Sequence, residues 1–224
     1  MTRFFGVILA ILWKDFLVEF RSKEIVIPIL ILGLLIIVIF NFAIRPNPSL
    51  IQILAPGMLW VSFSFAGILG LGRIFEMERE QGTMEGLILT PISKDTIYIG
   101  KLLSVFFFMT FVEIFLLPTF CLLFNLPLFE PRLWLVCLLG TFGFCTVGTT
   151  FSAMAINTKA KELTLPILFF PIVVPVIIAA SEATGAILSD NITFGFAQWL
   201  LLLLAFDLMF LVLCAMTFKF IINE

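Results

Sequence analysis

Apolar residues in this chain come in six long runs, approximately 25–44, 50–72, 102–124, 132–156, 163–181 and 194–218, separated by short polar breaks. A helix rises 1.5 Å per residue, so about 20 apolar residues cross the hydrocarbon core of a bilayer. Each run is long enough, and together they predict an all-α polytopic membrane protein with six transmembrane helices. A different pattern precedes them. Phe5, Leu9, Trp13, Phe16, Leu17 and Phe20 recur on one helical face, Lys14 and Arg21 face away, and Asp15 and Glu19 sit at the flank of the polar side. Residues 1–24 are therefore expected to form an amphipathic helix lying in the membrane interface, with 25–224 as the transmembrane domain. Lys14 and Asp15 stand where a signal peptide would need a small-residue cleavage site, so the segment is not read as one.

The longest polar break, "RIFEMEREQGTMEGLILTPISKDTIYIGK" (residues 73–101), has internal order. The second span is expected to continue as helix through Glu76, Glu78, Arg79 and Glu80. Gly82 offers a stop, and Thr83 can cap a new short helix. Glu85 lies near the start of that helix, where the dipole favours an acid. The helix carries Met84, Leu87, Ile88 and Leu89 and ends at Pro91, after which Ser93 can cap the helix entering the third span. A loop that only sets topology needs no capped helix bearing apolar residues outside the bilayer, so segment 73–93 reads as a docking surface. Glu76, Glu78 and Glu80 suit a hard cation in type. Their alternation with Met77 and Arg79 works against convergence, and no metal site is expected.

Composition supports the membrane reading. Of 224 residues, 62% are hydrophobic and 12% charged, against about 25% charged in a soluble domain, and 28 are Phe. Net charge is −2 and the pI near 5.2, which offers nucleic acid no basic surface. The chain has no His, which removes imidazole as a metal ligand, haem ligand or neutral-pH base. Eleven Lys and Arg fall in the N-terminal arm, the 73–101 and 157–162 loops and the tail, against two, Arg45 and Arg132, on the alternate side. The positive-inside rule then places both termini in the cytoplasm.

Within the spans, Ser62, Ala66 and Gly70, and Thr141, Cys145, Thr149 and Ala153, form small-residue stripes suited to close helix contact. The fifth span carries Pro166, Pro171 and Pro175, each removing a backbone donor and pushing toward a kink. Either a bent helix or a water-lined cavity would accommodate the freed carbonyls. Glu113 and Asp207 lie near the middle of spans three and six, where acids usually face the bundle interior or a wet cavity. Both structural and functional roles are open for them. Cys121, Cys137, Cys145 and Cys214 sit in apolar runs without CxxC spacing and read as small buried hydrophobes. The positions of Cys121 and Cys137 leave a disulfide conceivable.

The stretch "ERE-QGTMEGLILTPISKDTIYIGK" resembles the coupling segment of exporter-type permeases of the ATP-binding-cassette superfamily: charged residues, Gly-Thr, an acid, apolar residues, Thr-Pro, then Gly-Lys entering the next span. Within that class, "LAPGMLWVSFSFAGILGLGRIFEMEREQGTMEGLILTP", "LPILFFPIVVPVIIAA" and "WKDFLVEFRSKE" are similar to the CcmB family, the haem exporter membrane subunit of cytochrome c maturation. The resemblance implies a permease domain over 25–224 whose segment 73–93 couples to a separate ATPase subunit that binds the ATP. It also implies a second copy of the chain, a haem-handling membrane protein and a haem chaperone as partners. Haem would be cargo of the complex and not a cofactor held by a motif here. The setting would be a bacterial inner membrane, or the mitochondrial one. No GxxxxGK[ST] occurs, so ATP is not bound here through a Walker A loop.

Two other readings compete. A permease of the same class could export a lipid, glycan or drug. A membrane-embedded enzyme would have to use Glu113 or Asp207 with a Ser or Thr nucleophile. Without His, a paired-acid motif or GxSxG, it has little to work with.

Overall fold

The computed structural model describes residues 2–44, 48–80, 82–90, 92–127, 130–155, 161–189 and 194–221. They form eight α-helices: α1 (Thr2–Ser22), α2 (Val26–Ala43), α3 (Pro48–Glu80), α4 (Thr83–Ile88), α5 (Lys94–Phe124), α6 (Pro131–Ala155), α7 (Lys161–Leu188) and α8 (Phe194–Ile221). All but α1 and α4 are long and apolar enough to cross a membrane. The chain is a multi-pass membrane protein.

The helices match the apolar runs with three informative extensions. α3 has 33 residues and α5 has 31, so at 1.5 Å per residue they measure about 50 and 46 Å, well beyond the ~30 Å hydrocarbon core. Each overhangs at the same end of the bundle, and α4 joins the two overhangs. α7 continues past the expected 181 to Leu188. The polar stretch "SEATG" interrupts the apolar run without breaking the helix, because Thr184 is buried, donates to the Ala180 carbonyl (2.7 Å) and accepts from Trp60 Nε1 (3.1 Å).

α6 is the hub. Most of its apolar stretch is buried, whereas most of α2 is not. It packs on α7, α8, α5 and α3. Its sequence explains this position, since Thr141, Cys145, Thr149 and Ala153 are all buried and let neighbouring backbones approach closely. The second stripe is buried at Ser62 and Ala66 as well. α2, at the rim, buries only Ile29, Gly33 and Ile37, one residue per turn, and leaves Ile31, Leu35 and Phe42 outward. Several hydroxyls inside the bundle are satisfied by back-bonding to the carbonyl one turn earlier, among them Ser62, Ser64, Ser104, Thr146 and Thr149.

Pro166, Pro171 and Pro175 lie inside α7, which stays helical throughout. Pro171 and Pro175 are exposed, and Pro166 borders a cavity. All four cysteines are buried free thiols, so Cys121 and Cys137 form no disulfide here.

Candidate functional site

The α3–α4–α5 elbow is assembled by short-range backbone chemistry. Gly82 adopts φ +63°, a left-handed conformation that costs an L side chain roughly 1–2 kcal/mol, and its N–H donates to the Arg79 carbonyl (3.1 Å). The stop expected at Gly82 is therefore present. The cap expected from Thr83 is not. Thr83 is already inside α4, and its hydroxyl donates backward to the Glu78 carbonyl (3.3 Å), tying α4 to the end of α3. Ser93 does occupy the N-cap position of α5, but its oxygen pairs with the Thr96 hydroxyl (2.6 Å) and caps no backbone amide. After α4, Thr90 closes the turn through its hydroxyl and amide, both donating to the Leu87 carbonyl.

α4 is one and a half turns long. Leu87 is half-buried, while Leu89 just beyond it is 86% exposed. The side chains of Met84, Glu85 and Ile88, and Pro91 altogether, lie outside the described residues. On the α3 overhang Arg79 and Glu80 are exposed, Glu76 pairs with Arg73 (3.3 Å), and Glu78 turns inward and is buried. Among the described residues no group of three or more His, Cys, Asp or Glu could hold a metal ion.

Where Glu78 turns inward the structure holds a charge cluster. Lys101, completely buried on α5, donates to both carboxylate oxygens of Asp15 on α1 (2.9 Å each) and to Glu78 on α3. Lys14 reaches the same two acids, at 2.9 Å to Glu78 and 3.0 Å to Asp15, with its side chain 35% exposed. Two cations and two anions thus pin three helices at the base of the elbow. Burial pushes the Asp15 carboxyl upward, but the ammonium groups of Lys101 and Lys14 outweigh it and hold Asp15 below its ordinary range. Burial likewise works to lower Lys14, and Glu78 and Asp15 together overcome it and raise Lys14.

This cluster corrects the expected orientation of α1. Phe5, Leu9, Trp13, Leu17 and Phe20 do form an exposed apolar face, and Phe16 turns onto Phe108 (5.0 Å between ring centroids). Asp15 and Glu19, however, are not at a polar flank. They share a buried face with Ile8 and Ile11 that packs on α5, where Ile11 lies over Gly100. Glu19 accepts the amide protons of Val26 (2.8 Å) and Ile25 (3.3 Å), so its carboxylate caps α2 across the turn made by Lys23 at φ 56°. Burial raises its pKa, against the pull of those backbone bonds.

Lys14, Asp15, Glu19 and Lys101 were assigned no joint role from sequence. The signal was present in two places. Asp15 and Glu19 are spaced i, i+4, and Lys101 stands inside the apolar stretch "YIGKLLSV", where a cation needs a partner.

The two intramembrane acids are kept apart. Glu113 is buried and accepts a hydrogen bond from Thr141 on α6. Asp207 is buried against Gly143 of α6, where a Cβ would strike its carboxylate, and neither of its oxygens has a partner among the described residues. Thr141 and Gly143 are about 200° apart around α6, so the acids meet that helix on opposite sides. The two acids share no hydrogen bond: Glu113 is held by Thr141, and Asp207 has no partner among the described residues.

Comparison with known proteins covers nearly the whole chain. The model of the family described as "CcmB protein" matches residues 6–222. "Heme exporter protein B" of Pseudomonas aeruginosa is 31% identical over 189 residues, 84% of each chain. Its namesake in Haemophilus influenzae is 28% identical over 196 residues, 84% of this chain and 86% of that one. The Escherichia coli K12 protein of the same name is 27% identical over 183 residues, 78% and 81% of the two chains. A match of this extent, on a six-span bundle with a structured polar elbow, means that the chain belongs to the CcmB protein family.

Proposed function

We propose that this chain is the membrane subunit of an ATP-driven haem exporter serving cytochrome c maturation in a bacterial inner membrane. The observation that carries the reading is the family match over residues 6–222 together with relatives named heme exporter protein B. In this reading the chain is a permease and not itself an enzyme, and a separate subunit binds and hydrolyses ATP. That ATPase docks on segment 73–93, with α4 as the coupling helix and Leu87 and Leu89 as its apolar contacts. Both termini are cytoplasmic, and α1 lies along the interface with Phe5, Leu9, Trp13, Leu17 and Phe20 toward lipid. Six spans make half a transporter, so two copies assemble. A partner membrane protein and a haem chaperone handle the haem, in keeping with a chain that has no imidazole.

What supports the docking role is geometric. α3 and α5 overrun the hydrocarbon core, the turn between them is fixed by Gly82, and the base is locked by the Lys14–Asp15–Glu78–Lys101 cluster. A docked motor would push on a stiff lever. The test is to express the chain, tagged, in a bacterium lacking its own homologue. Restored haem-stained c-type cytochromes, with an ATPase and a haem chaperone recovered alongside the tagged chain, are expected. An ATPase recovered with no haem protein and no restored cytochrome would instead indicate another exported cargo.

A further inference from the structure

Two cavities meet at Arg73, where the apolar run of α3 gives way to its charged overhang. The larger, about 370 Å³, is walled by Leu69, Gly72, Phe75, Ser152, Leu165 and Pro166, from α3, α6 and α7. The second, about 330 Å³, lies on the other side of Arg73, beside Glu24 and Pro28. The walls are almost wholly apolar, and the charged groups stand at the rim. Arg73 sits at the rim between two carboxylates, Glu24 and Glu76, each at 3.3 Å. Those long contacts engage two of its five N–H donors. Leu69, on the wall, is 41% exposed on the outer flank of the bundle.

The position and the charge order identify the occupant. An apolar pocket that opens laterally at the boundary between apolar and charged sequence lies at the depth of lipid headgroups. The rim reads minus, plus, minus. An anionic headgroup would bring its charge to one guanidinium flanked by two acids, which is repulsive on balance. A headgroup with a phosphate and a primary ammonium matches the row: phosphate on Arg73, ammonium against Glu24 or Glu76. A trimethylated amine has no N–H to give those carboxylates. We propose that this groove binds one molecule of phosphatidylethanolamine, with its headgroup on Glu24–Arg73–Glu76 and an acyl chain in the larger cavity. The site uses neither α4 nor the charge cluster and does not depend on haem being the cargo, although Arg73 and Glu76 open the segment proposed to meet the ATPase.

The test is native mass spectrometry of the full chain, with its co-purifying subunits, released from detergent after equilibration with equal amounts of phosphatidylethanolamine, phosphatidylcholine and phosphatidylglycerol. The wild type is expected to retain one phosphatidylethanolamine per chain, favoured about tenfold over each of the others. Arg73→Gln removes the phosphate contact and should abolish the preference. Gly72→Leu gives a second, charge-neutral variant. The nearest atom to a Cβ there is Leu165 Cδ2 at 4.0 Å, so a side chain can enter and fill the cavity. It too should lose the bound lipid, at an unchanged melting temperature, and it decides the matter if Arg73→Gln fails to fold. Equal retention of the three lipids, a preference for phosphatidylglycerol, or retention by Gly72→Leu would each overturn the proposal.

Discussion

Lys101→Met tests the charge cluster most directly. The side chain of Lys101 is 0% exposed, and those of Asp15 and Glu78 are 9% and 7% exposed. Removing the cation leaves two buried acids sharing Lys14, and breaking a buried pair on one side typically costs about 3–5 kcal/mol. Lys14→Met should cost far less, about 1 kcal/mol or under, because water already reaches a third of that side chain. Adding Asp15→Asn to Lys101→Met restores neutrality, so the double variant should recover about 1–3 kcal/mol relative to the sum of the single changes. Thermal unfolding of the detergent-purified protein, followed by size-exclusion, gives the ranking. The pH profile has a defined sign. Asp15 is depressed below 3.8, so its contribution is complete above that value and is lost as pH falls through the folded pKa. Lys14 is raised above 10.5, so its contribution is complete below that value and is lost as pH rises beyond it. Stability from these two groups should be flat between roughly pH 5 and 10. Additive losses in the double variant, or a Lys14→Met change as costly as Lys101→Met, would refute the view that the buried ammonium organises the site.

Three further outcomes are expected. Single cysteines at Asn47, Asn125 or Asp190 should react with an impermeant thiol reagent from outside, and those at Gln81 or Lys161 only after permeabilisation; the four native cysteines are buried and add little background. External labelling at Gln81 would invert the topology. Gly82→Val, forced to φ +63°, should lower ATPase stimulation while Gly82→Asn is tolerated, at a cost of about 1–2 kcal/mol for the β-branched residue. Glu113→Gln keeps an acceptor for Thr141 and should support normal assembly and cytochrome maturation, whereas Glu113→Leu leaves that hydroxyl unpaired and should destabilise by about 1–3 kcal/mol. Failed maturation at normal assembly in the Gln variant would give the charge itself a role.

The spans and the elbow were legible because each is written locally. Apolar runs report their own length, and Gly82 marks a helix stop through its own backbone freedom. Thr83 and Ser93 show the limit of such reading. Both are of the right type to cap a helix, yet one bonds backward to Glu78 and the other to Thr96, a choice made by the path of the chain. The charge cluster was illegible for a stronger reason. Lys101 finds its partners 86 and 23 residues away, on Asp15 and Glu78. Helical periodicity can say that Asp15 and Glu19 share a side of α1, but an amphipathic wheel has only an apolar and a polar side. It offers no third category for acids facing another helix, and so both were expected near water.

That third side of α1 bears on how motion at the elbow could travel. A helix held only by its apolar face in the interface would be free to slide, since lipid contact is non-directional. α1 is instead tied to both arms of the elbow through charge-assisted hydrogen bonds, which have fixed geometry. One turn further on, at its C-terminal end, it is fixed again where Glu19 caps α2. Displacing α4 along the bundle axis would therefore carry α3 and α5 together and pull α1 with them. α5 meets α8 differently, through the buried Tyr98 ring on Phe218 (5.2 Å between centroids) and an exposed ion pair, Asp95 to Lys219 at 2.9 Å, which adds little. The charge-assisted, directional route from the elbow leads to α1 and onward to the first span, whereas the route to the last span runs through apolar packing, which can slide. If α4 receives a motor, the first span should respond before the sixth, and spin labels placed on the exposed faces at Leu35 and Val212 would resolve the order.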